Sequence, residues 1–500
     1  MATNLPFQLD DPSLLHEKSL LHGQWVGSIG GRRFDIEDPG TGIVFALCPV
    51  NEPDDVDRYV RSAQTAFEEY RYINPRIRAQ TLLRWNKLIT DARRDIAKLV
   101  VYETGKPMAE ALGEVDYALG FAWWFAGEAE RVRGSIAQPS VSNRRTLVIK
   151  QPIGVSVALV PWNFPVAMVI RKVAAALAAG CTMIVKPSPE TPLSTLALAD
   201  LAIRAGFAPG VLNIITTDSK STPGTSEALC RHPCVRKVTF TGSTSVGQII
   251  ASHCSFGLKK LTLELGGNCP FLVFNDADLQ AAVEALMVLK WRTAGQACTH
   301  ANRVYVQSGV YDQFAAMIRD ATVERIRVGH GAEEGVTMGA LTTSRGLDKL
   351  ERHVADAVAK GGRILCGGQR ARVPRGHFWQ PTIIADMKAD MLTSQEEIFG
   401  PLLALYRFDT ETEAVKAANN TDMGLAAYFF TRDVSRSYRL LESLEAGMVG
   451  MNTGNASCAE SPFGGIKSSG YGKEAGLQVA IEEYLVAKTG TLTVEPAARL

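Results

Sequence analysis

Cys298 is the residue with the clearest potential for covalent chemistry. It stands in the sequence TAGQACTH, where Ala294, Gly295 and Ala297 are small and allow a ligand to approach the backbone closely. A thiolate at this position would act as a nucleophile. A free cysteine is also commonly a buried structural thiol, and the local sequence alone leaves both interpretations open.

Two further side chains have the chemistry that a thiol nucleophile requires. Glu264 follows Leu263 at a strand end and precedes two glycines, where partial burial would raise its pKa and make it a general base. Asn163, in the turn PWNFP, has an amide that can stabilise an oxyanion. Each has an ordinary alternative, namely a turn glutamate bound to the backbone and an asparagine that hydrogen-bonds within its own loop.

Two strand ends could bind the phosphates of a nucleotide. The strand at 235–242 runs into Gly242 and Ser243 and then into a helix, whose N-terminus can bind an anion. Lys186 ends another strand, where it could reach a ribose or a phosphate. The sequence does not contain the GxGxxG pattern of a generic dinucleotide site, and each of these signals is common when taken alone.

These residues lie where strands and helices alternate along the chain. Such an alternation predicts a doubly wound, mostly parallel sheet, and ligands of such sheets lie beyond the carboxyl ends of the strands. A second α/β block is expected from near Leu261 to about residue 460. The predicted strands are 155–160, 182–186, 211–216, 235–242 and 303–307, and the predicted helices are 53–70, 76–103, 107–132, 166–179, 192–205, 223–231, 244–254, 278–293 and 311–326.

Length, charge and cysteine content limit the function classes. The 500 residues suggest about three structural units. With 53 basic and 52 acidic residues the net charge is +1, which gives no support for a nucleic-acid or membrane partner. The N-terminal region has no apolar signal core, so we expect a cytoplasmic protein with nine reduced cysteines. No metal site is predicted.

Taken together, the motifs resemble those of the aldehyde dehydrogenase superfamily. The Trp-Asn turn, the strand-end lysine, the Gly-Ser helix start, Glu-Leu-Gly-Gly and Gly-Gln-x-Cys occur in that order. The resemblance covers nearly the whole chain and its motifs are specific to this superfamily. Further matches are GQWVG near residue 23, ETGKP at 103–107, EEIFGP at 396–401 and PFGGIKSSGYGKE at 462–474.

The resemblance implies an α/β fold with three parts. They are a Rossmann-type cofactor domain formed by residues 1–130 and 152–263, an α/β catalytic domain at 264–465, and a small β oligomerisation arm formed by 131–151 and 479–500. A homodimer or homotetramer assembled through that arm is expected, and the strand-like 481–494 could pair there with 146–151.

The resemblance also implies the roles of individual residues. Cys298 attacks the aldehyde carbon, Asn163 and a backbone N–H hold the oxyanion, and Glu264 activates the water that hydrolyses the thioester. Lys172 supports this network. The implied site for NAD or NADP comprises Pro161, Trp162, Lys186, Ser188, Gly242, Ser243, Glu397 and Phe399.

Within the superfamily the chain looks most like succinate-semialdehyde dehydrogenases. Arg171, Arg292 and Ser457 match the residues with which that subfamily binds the distal carboxylate of its substrate, and paired guanidinium groups suit a carboxylate. The implied reaction is the oxidation of succinate semialdehyde to succinate. The alternatives are another pathway-specific aldehyde and, more remotely, a non-catalytic structural or binding protein. A different substrate would require a reshaped wall around Trp291, Asn455, Cys458 and Phe463.

Two departures from the family pattern carry predictions. Many NAD-using members have a glutamate three residues after the strand-end lysine, where this chain has Pro189 followed by Glu190. Loss of that carboxylate removes repulsion against a 2′-phosphate, which Lys186 and Ser188 could bind, so we predict that NADP is accepted. His300 stands where some relatives have a second cysteine, and we therefore predict no disulfide switch within this loop.

Overall fold

The computed structural model describes residues 5–495. Residues 1–4 of the predicted cofactor domain and residues 496–500 of the predicted arm lie outside the described residues. Within 5–495, no helix combines the length and the apolar character that a membrane crossing needs.

The helices agree closely with the bounds expected from the sequence, with one difference. The segment predicted as one helix at 76–103 forms two, because the backbone of Ala92 leaves the helical conformation between them. The α-helices of the described residues are α1 (Pro53–Tyr70), α2 (Pro75–Asp91), α3 (Arg93–Thr104), α4 (Met108–Ala129), α5 (Pro165–Ala179), α6 (Pro192–Ala205), α7 (Thr222–Arg231), α8 (Thr244–Ser255), α9 (Leu279–Trp291), α10 (Tyr311–Arg325), α11 (Arg345–Ala359), α12 (Leu392–Gln395), α13 (Glu411–Asn419), α14 (Val434–Ser443) and α15 (Val479–Glu482).

The strands are mostly short and are distributed over the whole described chain. They are β1 (Ser19–Leu21), β2 (Gln24–Val26), β3 (Arg33–Asp38), β4 (Ile43–Pro49), β5 (Ser135–Ala137), β6 (Arg144–Pro152), β7 (Val155–Leu159), β8 (Thr182–Lys186), β9 (Leu212–Ile214), β10 (Val235–Thr241), β11 (Lys260–Glu264), β12 (Pro270–Val273), β13 (Arg303–Gln307), β14 (Arg363–Cys366), β15 (Thr382–Ala385), β16 (Leu402–Phe408), β17 (Met423–Gly424), β18 (Ala426–Phe430), β19 (Met448–Met451), β20 (Ile466–Lys467), β21 (Gly470–Tyr471) and β22 (Leu485–Thr493).

The first large sheet has eight strands in the order β2-β1-β9-β8-β7-β10-β11-β21. Its five central strands run parallel. At the two edges, β1, β2 and β21 each pair antiparallel with the neighbouring strand. Every residue of β7, β8 and β9 is buried, since helices cover both faces. Burial on both faces explains why these strands are continuous apolar runs, and the α/β fold class predicted from the sequence is confirmed.

The second large sheet has seven strands in the order β14-β15-β16-β13-β12-β18-β19. The sequence had suggested that the second α/β block starts near Leu261. In the structure, β11 pairs with β10 in the first sheet, and the chain enters the second sheet only at Pro270. Both segments are apolar and strand-like, so hydrophobicity alone did not distinguish their sheets.

A smaller sheet has the order β22-β6-β5. Strand β22 pairs antiparallel with β6 over nine residues, from Leu485 opposite Pro152 to Thr493 opposite Arg144, which confirms the expected pairing of the two segments. Most residues of β5 and β22 are exposed, whereas most of β6 is half-buried. The division into three domains and the assembly through this arm remain predictions.

The register of the first sheet brings four candidate segments to one edge. Leu159 lies beside both Lys186 and Phe240, and Thr241 lies beside Glu264. Because these strands are parallel, the segments that follow them emerge at the same side of the sheet. Cys298 reaches this edge from the second sheet's side of the molecule, through the turn that follows α9.

Candidate active site

The nucleophile candidate follows a turn with unusual backbone angles. A short 3₁₀ helix at Arg292–Gly295 contains Thr293 and Ala294 with φ of 54° and 48°. Gly295 also has a positive φ, and a side chain there would overlap the carbonyl oxygen of Gly400. Cys298, which follows this turn and is half-buried, lies in the wall of a cavity of about 620 Å³.

Glu264 and Cys298 lie close enough for the charge of one to affect the ionisation of the other. Burial raises the pKa of the Cys298 thiol well above its ordinary range, and the carboxylate of Glu264 raises it further. Burial also raises the pKa of Glu264, whose two oxygens have no hydrogen-bond partner among residues 5–495. The pair therefore resists carrying two negative charges, and Glu264 remains free to take up a proton.

Asn163 is buried against the nucleophile turn. Its side-chain amide donates to the backbone carbonyl oxygen of Gln296 at 2.9 Å. The backbone carbonyl oxygen of Asn163 accepts from Lys106 Nζ at 2.8 Å. Lys106 in turn forms a buried ion pair with Glu114 on α4. The structure thus brings Asn163 next to the turn that bears Cys298, and its second amide hydrogen is available for an oxyanion.

Lys172 and Arg171 are both fully buried and share one carboxylate, that of Glu474. Arg171 donates to Glu474 at 2.6 Å, and Lys172 forms the second ion pair with it. Burial acts to raise the pKa of Glu474, but the two cations outweigh it and hold that pKa below its usual range. Two nitrogens of Arg171, Nε and Nη1, have no partner among the described residues.

The cavity that contains Cys298 also contains the three residues predicted to bind a carboxylate. Arg171 lies at its buried end with its guanidinium carbon 4.1 Å from the ring centre of Phe463, and Arg292 is exposed, 5.4 Å from the ring of Phe164. Ser457 hydrogen-bonds to the hydroxyl of Tyr117. Other lining residues are Glu110, Glu114, Met168, Leu289, Thr299, Tyr428 and Asn455.

Two residues expected in the cavity wall lie elsewhere. Trp291 is buried, and its indole nitrogen donates to the sulfur of Met287 on the same helix, so the Trp291 side chain faces the protein interior. Cys458 is exposed and contacts Ser461. A larger cavity of about 730 Å³, lined by residues such as Arg303, Tyr406 and Asp422, contains none of the candidate catalytic residues.

Most of the residues predicted to hold a cofactor lie in segments that follow parallel strands at the same edge of the first sheet. Ser243 caps α8 and leaves its first turn half-exposed, with Gly242 directly before it. Glu397 accepts from the backbone of Gly267 at 3.0 Å, and burial raises its pKa to about 7. A carboxyl group and an open helix N-terminus at one edge fit a ribose and a pyrophosphate, respectively.

The aromatic and lysine parts of that site are also present. The rings of Trp162 and Phe399 meet edge to face at 5.5 Å, and Pro161 is half-buried beside them. Lys186 is buried, which lowers its pKa to about 8, and it donates to the carbonyl oxygen of Pro187 at 2.9 Å.

Ser188 differs from the expectation. Its hydroxyl donates to the carboxylate of Glu190 at 2.5 Å, so that carboxylate stands near the strand-end lysine although residue 189 is proline. The charge of Glu190 also raises the pKa of Lys186 against the effect of burial. A carboxylate is therefore still present near Lys186, but it stands one residue later in the chain than in the family pattern.

Sequence reasoning missed several residues of the site. Glu474 stood within a recognised motif without a role, and Lys106, Glu110, Glu114 and Tyr117 were not singled out. The available signal was the pair Glu110 and Glu114, which are one helical turn apart on α4. The described residues contain no group of three or more histidine, cysteine or acidic side chains that could hold a metal ion.

Comparisons with known proteins give consistent results. Residues 25–490 match the model of the aldehyde dehydrogenase family. The chain is 45% identical over 481 residues to the NADP(+) succinate-semialdehyde dehydrogenase of Escherichia coli K12, and 45% identical over 482 residues to the 3-sulfolactaldehyde dehydrogenase of Pseudomonas putida. Each match covers 96% of this chain and 98% of the relative.

Solved structures with a similar fold also include a succinate-semialdehyde dehydrogenase. The crystal structure of succinate-semialdehyde dehydrogenase from Burkholderia pseudomallei superposes with a TM-score of 0.95 at 43% identity. The match covers 98% of this chain and 100% of that one.

Proposed function

Because the chain belongs to the aldehyde dehydrogenase family, we propose that it oxidises a carboxylate-bearing aldehyde, succinate semialdehyde, to the corresponding acid with NAD or NADP. One observation carries the choice of substrate. The buried guanidinium of Arg171 keeps two nitrogens without a protein partner in the cavity that also holds Cys298. Glu474 neutralises the charge of Arg171, but buried N–H donors without an acceptor are still costly, and a substrate carboxylate would accept from them.

The first chemical step is the attack of the Cys298 thiolate on the aldehyde carbon. The oxyanion that forms is stabilised by the free amide hydrogen of Asn163 and by a backbone N–H of the nucleophile turn. Lys106 holds the carbonyl oxygen of Asn163, which limits the movement of that turn. Lys172 and Arg171 provide positive charge behind the site, and Arg171 lowers the pKa of Cys298 against burial.

The cofactor residues of the chain line the other face of the site. When bound, NAD or NADP supplies the hydride acceptor. Gly242 and Ser243 at the start of α8 would bind its pyrophosphate, Glu397 would bind a ribose, and Trp162 and Phe399 would form an apolar wall beside it.

The second step is hydrolysis of the thioester, and Glu264 is the base. Its carboxyl is buried and has no competing hydrogen bond within residues 5–495, and burial raises its pKa, which makes it a stronger proton acceptor. Retention of this base supports hydrolysis by water and disfavours a relative that passes the acyl group to another thiol. It also disfavours a non-catalytic role.

We expect Arg292→Gln to raise KM for succinate semialdehyde by about 10- to 100-fold, the usual value of a charge-assisted hydrogen bond. For butanal, which has no anionic tail, the expected change is below about threefold. Arg292 is the better test than Arg171, because removal of Arg171 would leave Glu474 short of a buried partner. The measurement is steady-state kinetics on a panel of carboxylate-tailed, sulfonate-tailed, aliphatic and aromatic aldehydes.

The matched control is Arg319→Gln, a half-buried arginine on α10 that pairs with Asp320 and does not line the cavity. It should behave as wild type with every aldehyde. An equal rise in KM for butanal and succinate semialdehyde in the Arg292 variant would contradict an anion-binding role. A wild-type preference for a sulfonate tail over a carboxylate would move the proposal to that substrate class.

The cofactor prediction concerns Glu190. We expect the wild-type enzyme to use NADP⁺, since Lys186 and Ser188 adjoin the expected position of the 2′-phosphate. Glu190→Gln should raise kcat/KM for NADP⁺ by about fivefold, the value of one nearby like charge in a solvated site, with little effect on NAD⁺. Comparison of both cofactors in both enzymes checks this, and a strong wild-type preference for NAD⁺ would contradict it.

We further propose a cytoplasmic location and a homodimer or homotetramer that assembles through β5, β6 and β22. All nine cysteines are free thiols, which supports a reducing compartment. The exposed nine-residue pairing of β6 with β22 leaves strand edges that a second subunit could cover. The presence of two large sheets and one smaller sheet supports the proposed cofactor, catalytic and arm regions.

A further inference from the structure

Helix α4 contacts both halves of the proposed catalytic site through two carboxylates one turn apart. Glu114 accepts from the backbone N–H groups of Val166 and Ala167 at 2.8 and 3.2 Å, at the start of the helix that follows Asn163. Glu110 accepts from the backbone N–H of Thr293 at 2.7 Å. One helix face therefore holds the turn of the oxyanion donor and the turn of the nucleophile.

The turn held by Glu110 has a conformation that its residues do not favour. Thr293 (φ 54°, ψ 34°) and Ala294 (φ 48°, ψ 42°) are both in the left-handed region, which residues with a side chain rarely adopt in succession. Such a backbone persists only where its surroundings determine it. The contacts within the turn, from Gln296 N and Nε2 to Thr293 O, do not tie it to another element.

The other end of the turn is held from outside. Gln296 accepts at its side-chain oxygen from Thr342 N at 3.1 Å and at its backbone oxygen from Asn163 Nδ2 at 2.9 Å. The carboxylate of Glu110 is the corresponding contact at the beginning of the turn. Cys298 lies five residues beyond Thr293, so a change in this contact would move the sulfur relative to Asn163.

We propose that Glu110 is a positioning residue that acts through Thr293 to hold the nucleophile turn, and with it Cys298, in the reactive arrangement. This inference rests on the proposed function only in its use of Cys298 as the nucleophile. The role requires a hydrogen-bond acceptor and not a charge.

The groups around Glu110 explain why its charge is a separate question. Lys106 and Glu114 face it from α4 and the residues before that helix, and Arg292 faces it from the turn. The same cavity is also lined by Arg171, Tyr117, Cys298 and Tyr428. Burial raises the pKa of Glu110 to about 7. Because a protonated carboxyl still accepts through its carbonyl oxygen, the contact with Thr293 is available on either side of neutrality.

The test compares variants that keep and remove the acceptor. Glu110→Met preserves length without an acceptor, Glu110→Ala is a second non-acceptor variant, and Glu110→Gln keeps the acceptor without the charge. We expect kcat with butanal to fall about 10- to 100-fold in the Met and Ala variants, as for a misplaced reacting group, with KM changed less than about threefold. Gln should restore kcat to within about threefold of wild type.

A second readout measures the position of Cys298 without substrate. The rate of its alkylation by iodoacetamide should change in parallel with kcat in the Met and Ala variants and return in the Gln variant. Asp116→Asn, an exposed carboxylate of the same helix that pairs with Arg93, is the control and should behave as wild type. Thermal unfolding followed by circular dichroism identifies any variant that is merely unfolded.

Two results would overturn the proposal. If Gln is as impaired as Met and Ala, the charge of Glu110 and not its acceptor is required. If only KM for succinate semialdehyde changes, Glu110 affects the anionic tail and not the nucleophile. Since butanal and iodoacetamide carry no anionic tail, a wild-type enzyme that prefers another aldehyde would refute the substrate proposal and leave this comparison valid.

Discussion

Replacement of Cys298 by serine is expected to lower kcat/KM for aldehyde oxidation by about 10³-fold or more, as removal of a covalent nucleophile usually does. A serine hydroxyl in this cavity would be a much weaker nucleophile, because its pKa is far higher than that of a thiol. The side chains are nearly equal in volume, so the turn at Arg292–Gly295 should fold as before. Steady-state kinetics together with thermal unfolding check both expectations.

The matched control for this prediction is Cys366→Ser, a half-buried thiol in β14 away from the cavity. It should retain wild-type kinetics. If Cys298→Ser kept more than about a tenth of the activity, the thiol would not be the nucleophile, and the interpretation of Cys298 as a structural thiol would return. If it lost activity only because it unfolded, its melting temperature would show this.

Glu264→Gln is expected to separate the two chemical steps. Glutamine cannot accept a proton from water, so steady-state turnover should fall by about 10²- to 10⁴-fold, the usual contribution of a general base. Formation of the thioester should continue, because Cys298 and Asn163 remain. Stopped-flow measurement of reduced cofactor should therefore show a burst of about one equivalent per active site, followed by very slow turnover.

The same variant carries a pH prediction with a definite sign. The negative charge of Glu264 raises the pKa of Cys298, since a second negative charge nearby disfavours the thiolate. Loss of that charge in Glu264→Gln should lower the thiol pKa and shift the pH profile of the burst rate toward lower pH. Glu284→Gln, a half-buried residue of α9 that pairs with Arg325, is the control and should shift neither quantity. Loss of the burst itself would mean that Glu264 is needed for the first step.

The sequence alone was sufficient for the fold class and for a choice of candidate catalytic residues. Buried parallel strands are continuous apolar runs, and the polar residues that interrupt them at their carboxyl ends, such as Asn163, Lys186 and Glu264, stand out for that reason. Parallel pairing then requires these ends to meet at one edge, whatever the details of the loops. Cys298 was singled out because small residues surround it, and the resemblance to the family then implied its role.

Only the tertiary structure decided how these side chains are held. Glu474 is 303 residues from Arg171 along the chain, and Thr293 is 183 residues from Glu110, yet each pair is in direct contact. Residue type and spacing predict which element a side chain belongs to, but not which distant carboxylate neutralises a buried cation. The same limit explains why Trp291 and Ser188 differ from expectation. The direction of the Trp291 side chain depends on the packing of a turn, and the partner of Ser188 is Glu190; local sequence determines neither.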